Sequence, residues 1–195
     1  MHYYVVGINA SGKTTLLQAV SKQTGIPVVH GTQELMKTLG ITGDYNALRA
    51  MNQDEVLVKW SETAERLLKE FGPKPFMLDA HILNLTRGKV IRRDGPWIGD
   101  YDALVMIKSN PAVIFDRLEH DTKDRALFTL DFGNEAKLTL LTEYQAQTEK
   151  IVKHLSQKYE LPLKIIENHD LDKATAEFVA FHRSFGSLES ESNSN

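Results

Sequence analysis

Near the start of the chain a glycine-bounded run, Gly7-Ile8-Asn9-Ala10-Ser11-Gly12-Lys13-Thr14, follows directly on an apolar segment, Tyr3 to Val6. It leads into a helical pattern from about Lys13 to Gln23. No other feature narrows the possible folds as far. Glycines at both ends let the backbone turn tightly enough for successive amides to converge on one anion. A helix that begins at the turn adds its N-terminal dipole. Lys13 contributes a point charge, and Thr14 a hydroxyl of the kind that ligates magnesium. The pattern G-x-x-x-x-G-K-[ST] also arises by chance, as a strand–helix turn with an incidental lysine. A strand before it and a helix after it are the context a phosphate loop requires. Gly7, Asn9, Ala10, Ser11, Gly12, Lys13, Thr14 and Thr15 are therefore the expected binding residues for ATP with Mg2+.

Beyond the loop, short apolar runs alternate with longer helical patterns, which predicts a β-α-β chain around a parallel sheet. Pro27 to Val29 reads as a second strand and Glu34 to Leu39 as a small helix. Asn52, with Glu55 three residues on, opens a further helix whose apolar positions are Val56, Trp60, Ala64, Leu67 and Phe71. Gly72 and Pro73 stop it. Phe76 to Leu78 is a third strand ending at Asp79, and Ala103 to Ile107 a fourth. Asn110-Pro111 then caps and starts a helix. A long helix is expected over Asn134 to Tyr159, a last strand over Leu163 to Ile166, and a closing helix capped by Asp170. No repeat or linker divides the chain, so residues 1–185 read as a single domain. Residues 186–195, nearly all serine, asparagine and glutamate from Ser187 on, read as a disordered tail.

Composition sharpens the function classes. A net charge of -3 leaves attraction to phosphate to local clusters and argues against a dedicated nucleic-acid binder. The chain has no cysteine, so thiolate metal sites and cysteine nucleophiles drop out. No run reaches the roughly 18 apolar residues of a membrane span, and the protein is expected in the cytoplasm. Asp79 closes a parallel strand at the edge where ligands gather in α/β sheets, so it is a candidate magnesium ligand beside Thr14. His81 follows two residues later, with its role undecided by sequence. Two basic groups, Arg117 with Lys123 and Arg125, and Lys89 with Arg92 and Arg93, each read as a solvated face when taken alone.

Taken together, these residues resemble the archaeal-type adenylate kinases, a compact branch of the nucleoside monophosphate kinases. The resemblance runs from Tyr3 to about Phe181. It rests on the loop, on Gly31-Thr32, on Arg49 within Ala47-Leu48-Arg49-Ala50-Met51, and on Asp79-Ala80-His81. Arg117 followed by Asp121-Thr122-Lys123-Asp124-Arg125 resembles a short arginine-bearing lid, and Ile166-Glu167-Asn168 a segment that approaches adenine. Where the family continues with Thr-Pro-x-Gly, this chain reads Thr86-Arg87-Gly88, and Lys123 stands for the first lid arginine.

The resemblance implies a P-loop NTPase three-layer α/β sandwich with a central, mostly parallel five-stranded sheet, a short lid and a helical monophosphate-binding segment. It implies transfer of the γ-phosphate of ATP to a nucleoside monophosphate, AMP first among them. Lys13, Arg117, Lys123, Arg125 and Asp79 would act in catalysis. Thr32, Arg49, His81 and Arg87 would hold the acceptor, and Asn168 would lie near the base. Members of the family can be trimers, which leaves a homo-oligomer open. A small-metabolite kinase, with Asp79 or His81 as base, and an ATPase serving assembly or maturation use the same core. A GTPase is disfavoured because no Asn-Lys-x-Asp stretch is present.

Overall fold

The computed structural model describes residues 1–86, 89–121, 128 and 133–192, with the side chains at 86, 89 and beyond 185 left undescribed. Five strands, β1 (His2–Val6), β2 (Val28–His30), β3 (Phe76–Asp79), β6 (Ala103–Lys108) and β7 (Leu163–Glu167), form one sheet in the order β2-β3-β1-β6-β7. Every pairing within it is parallel. Each strand is short and apolar because both sheet faces are covered. Alternation along β1 divides the core. Tyr3 and Val5 point to the face covered by Leu16, Leu17 and Val20 of α1 (Lys13–Thr24) and Phe178 of α7 (Leu171–Ser192). Tyr4 and Val6 point to the other, where Trp60 and Leu67 of α4 (Gln53–Phe71) join Leu141, Tyr144 and Val152 of α6 (Asn134–Tyr159).

Local signals account for the helix ends. Asn52 Oδ1 accepts from the Asp54 amide, Asn110 Oδ1 from Ala112, at the start of α5 (Pro111–Glu119), and Asp170 Oδ1 from Lys173. Each side chain satisfies one amide that the first turn cannot pair. Helix α2 (Gly31–Thr38) starts earlier than Glu34, directly where β2 ends. A short α3 (Tyr45–Ala50), capped by Asp44, occupies a stretch with no clear sequence periodicity. Two differences from expectation stand out. The strand after β3 does not run straight to β6: an antiparallel hairpin, β4 (Leu83–Thr86) with β5 (Lys89–Arg92), is interposed. Helix α7 continues past residue 185, the expected domain end, through Ser192.

The hairpin also corrects the reading of the second basic group. Arg92 is exposed and pairs with Asp94, as a solvated face requires. Arg93 is only 8% exposed, with its amide on the Ile82 carbonyl and its Nε buried without a hydrogen bond. Burial pulls its pKa below the usual value for arginine, opposed in part by the nearby Tyr144.

At the far end of β1 from the loop, the Tyr3 hydroxyl meets His182 Nδ1 of α7 at 2.6 Å. Burial, then the N-terminal amino group and Arg183, lower the His182 pKa from 6.5, and burial with the N-terminal charge lowers that of His2. Lowered values mean that the unfolded chain takes up protons before the folded one does. Stability should therefore decline as pH falls from about 6.5, the unfolded value, toward the lowered folded values. Because both rings are only partly buried, the slope will be shallow. Thermal midpoints measured from pH 7.5 to 5 should show that decline, and His182→Gln should flatten it without abolishing it, because His2 remains. A wild-type midpoint that rises on acidification would contradict the assignment.

Candidate active site

The carboxyl ends of β1 and β3 lie side by side, and the chain leaves them for different elements, which opens a crevice there. The phosphate loop rises from β1 on one side and Asp79 closes β3 on the other. Gly7 is needed at its place because a Cβ there would stand 2.7 Å from the Ile107 carbonyl of the neighbouring strand. Ala10 takes a left-handed φ of 59° and Gly12 one of 81°, so the loop curls back on itself before α1 begins. The Ser11 amide closes the turn on the Ile8 carbonyl at 3.3 Å.

The resulting cleft, of about 260 Å³, is lined by Ile8 to Thr15 on the loop side. On the other side stand His30, Gly31, Thr32, Gln33, Tyr45, Asp79 and His81. Lys13 Nζ is paired with Asp79 Oδ1, and the Thr14 hydroxyl donates to Asp79 Oδ2 at 3.0 Å. Burial pushes the Asp79 carboxyl up, but the charge and hydrogen bond of Lys13, with His81 and Thr14 adding, hold it below the usual carboxylate range. Asp79 is thus kept ionised at neutral pH. One carboxylate and one hydroxyl, both hard oxygen donors, fit magnesium, which keeps most of its shell for water and phosphate. The loop contains further unmet polar atoms, Asn9 Oδ1 and Ser11 Oγ, both buried without a protein partner. A phosphate chain in the cleft would bring hydrogen-bonding atoms to this loop.

Several predicted residues meet here and others do not. Asn9, Ala10, Ser11, Gly12, Lys13, Thr14, Thr15, Thr32, Asp79 and His81 all line the cleft. His81 also has a structural tie: its Nδ1 lies 2.9 Å from the Gly7 carbonyl, which can only accept, so Nδ1 carries the proton. Arg117 reaches the loop from α5 and donates to the Ala10 carbonyl at 3.0 Å. Asn168 differs from expectation. Its side chain is buried and turned onto the loop, donating from Nδ2 to the Ser11 carbonyl at 2.9 Å, because β7 ends beside β6 behind the loop. Arg49 is exposed on α3, donates to Asn46 at 3.0 Å and is absent from the cleft lining. Tyr45, one turn earlier on that helix, does line it. Arg87, Lys123 and Arg125 lie outside the described residues.

Sequence reasoning missed His30, Gln33 and Tyr45. The register of β2 on β3 sets His30 directly beside Asp79, with Nδ1 3.5 Å from Oδ2. Tyr45 is 47% exposed and stands at the cleft with its ring uncovered. Neither is marked by a local motif. An alignment of the His30-Gly31 strand end against Asp79 was the one signal that could have found the first.

A family model described as an AAA domain matches residues 6–131. Its span takes in the loop, the Asp79 strand end and Arg117. No curated protein matches the chain. Among solved structures, the shikimate kinase from Bacteroides thetaiotaomicron superposes with a TM-score of 0.67 at 12% identity, covering 94% of this chain and 98% of that one. The shikimate kinase from Aquifex aeolicus does so with 0.63 at 13% identity, covering 95% and 98%. The deoxyadenosine kinase from M. mycoides gives 0.53 at 12% identity, covering 94% and 100%. These likenesses establish a P-loop kinase fold. No helix among the described residues is long and apolar enough to cross a membrane.

Proposed function

The chain belongs to the AAA domain family, and from that premise and the cleft we propose that it moves the γ-phosphoryl group of ATP to a nucleoside monophosphate, AMP first among the candidates. The observation that carries this reading is the engagement of Asp79. Its two oxygens are taken by Lys13 and Thr14, and it is held ionised as a magnesium ligand would be. Engaged with Thr14 and magnesium, it would be poorly placed to strip a proton from a hydroxyl. A phosphate oxygen needs no such help, because it is already a competent nucleophile.

In this mechanism the bond from the γ-phosphorus to its bridging oxygen breaks as an acceptor oxygen attacks in line, and the electron pair leaves on ADP. Thr14 and Asp79 would hold magnesium, which would offset the charge of the phosphates. The protein positions and screens. Loop amides and Lys13 hold the donor, and Lys13 exchanges Asp79 for phosphate as the site fills. Arg117, already at the loop's rim, adds positive charge where negative charge spreads in the transition state. Thr32 and Tyr45 border the acceptor side, with Arg49 one helical turn behind Tyr45.

A hydroxyl acceptor is the second reading, and one observation favours it: His30 beside Asp79 supplies an imidazole at the acceptor edge, where a base would be needed. The named activities of the structural neighbours, shikimate and deoxyadenosine kinases, run in the same direction. The two readings separate in one assay. With ATP and magnesium, AMP, CMP, UMP, GMP and dAMP are offered singly and diphosphate formation is followed, with Lys13→Ala as control. Rapid ADP production with one monophosphate, lost in the control, is expected. If no monophosphate accelerates ATP consumption, the proposal fails. Hydroxylated metabolites then take their place, with His30→Ala expected to abolish their turnover.

A further inference from the structure

Two sets of contacts join α6 to the ends of β6 and β7, and they differ in kind. Outside, Lys108 of β6 bridges Glu149 of α6 at 2.9 Å and Glu167 of β7 at 3.0 Å. Inside, each partner's neighbour along its own element repeats the arrangement without charge. Gln145, one turn before Glu149, clamps the whole backbone of Ser109: its Oε1 accepts from the Ser109 amide at 3.2 Å, and its Nε2 donates to the Ser109 carbonyl at 3.0 Å. The Ser109 hydroxyl donates to the Asn168 carbonyl at 3.4 Å, and the Asn168 amide donates to the Lys108 carbonyl at 2.7 Å. Asn168 Nδ2 then donates to the Ser11 carbonyl of the phosphate loop. All four residues, Gln145, Ser109, Asn168 and Ser11, are buried.

We propose that Gln145 is a positioning residue for the nucleotide: through Ser109 and Asn168 it fixes the Ser11 carbonyl, and with it the aim of the loop amides that receive phosphate. The inference rests on the reading that the loop holds ATP, but not on the identity of the acceptor. A carboxamide can accept from the amide and donate to the carbonyl of a single residue at once, through two separate atoms. A buried polar side chain spent on that clamp, on a helix that could have offered leucine, specifies one register for the strand end. Fold stability alone does not call for it, since the Lys108 bridge already ties the same three elements together.

The test compares Gln145→Met with Thr148→Val. Thr148 is equally buried on α6, but its hydroxyl bonds only the Tyr144 carbonyl, so its loss costs stability without touching the relay. In the nucleotide-free proteins, amide exchange at Ser11, Gly12 and Lys13 is followed by NMR. Affinity for Mg2+ with a non-hydrolysable ATP analogue is measured by calorimetry below the thermal transition. Gln145→Met is expected to speed loop exchange and to weaken the analogue about tenfold, in keeping with two lost hydrogen bonds, whereas Thr148→Val matches wild type in both. Adding Asn168→Ala to Gln145→Met should produce less than the product of the single effects, because both break one chain of contacts. Should Gln145→Met not fold, Gln145→Glu keeps the acceptor for the Ser109 amide, loses the donor to its carbonyl, and should shift both readouts in the same direction. A folded Gln145 variant with wild-type loop exchange and affinity overturns the inference. A wild-type protein that does not bind the analogue overturns instead the reading of the loop as an ATP site.

Discussion

Lys13→Met is expected to lower kcat/KM for phosphoryl transfer by about a thousandfold or more, the scale of losing a charged group aimed at the developing negative charge. The same substitution should also destabilise the nucleotide-free protein. Lys13 is 6% exposed and its partner Asp79 9%. Removing one member of a buried pair costs about 3–5 kcal/mol, and the lower end applies because Thr14 still donates to Asp79 and His30 stands beside it. With Lys13 gone, burial acts on the Asp79 carboxyl with less opposition, and its pKa should climb. Asp79→Asn placed on Lys13→Met should therefore recover much of the lost thermal midpoint while recovering none of the activity. Two numbers decide the matter, the midpoint and the turnover of each variant. A Lys13→Met enzyme that retains a tenth of wild-type turnover would show that Lys13 serves Asp79 and not the phosphates. A double variant no more stable than the single would show that the carboxylate was never a burden.

The parts of this site that were legible in the sequence are those whose meaning is local. The loop announces itself because glycine, lysine and threonine must follow one another at fixed spacing for amides to converge on phosphate. Asp79 was readable because a strand's end can be read from its own apolar run. The caps at Asn52, Asn110 and Asp170 obey the same logic, each deciding only its first turn. What stayed hidden depends on register between distant segments. His30 becomes a site residue only once β2 pairs with β3 so that it faces Asp79. Gln145 looks like any polar position within a long amphipathic helix until β6 is laid against it. Arg93 shares a basic run with Arg92, and only the hairpin, which stacks its backbone on Ile82, separates the buried arginine from the solvated one. The hairpin itself escaped notice because its strands are only four residues each and Lys89-Val90-Ile91-Arg92 does not alternate. The contact of Asn168 was not legible either: the resemblance brings its segment toward the base, and only the strand order shows its carboxamide donating to the Ser11 carbonyl.

Gly12→Ala should weaken nucleotide binding strongly, and the reason separates two costs that sequence inspection merges. Gly12 has φ 81°, and an L side chain in the left-handed region costs about 1–2 kcal/mol. The added methyl would also stand 2.5 Å from Asn168 Nδ2 and 3.2 Å from Arg117 Nη1. Arg117 is exposed and can swing aside. Asn168 cannot do so freely, because its amide is bonded to Lys108 at the end of β6, its carbonyl to Ser109 just beyond, and its carboxamide is the strut beneath Ser11. The loop must therefore give way, with the Ser11 bond lost, worth about 0.5–1.5 kcal/mol, and the phosphate-facing amides turned from their common focus. Affinity for an ATP analogue should fall by about tenfold to a few hundredfold, the scale of these terms added. Asn168→Ala in the same chain makes room for the methyl but leaves both the backbone strain and the missing strut. It should accordingly restore part of the thermal midpoint and little of the affinity. If the double variant binds as wild type does, steric conflict is the whole of the effect and the Asn168 strut contributes nothing to the site. If neither variant differs from wild type, the loop does not hold nucleotide in the geometry that its amides define.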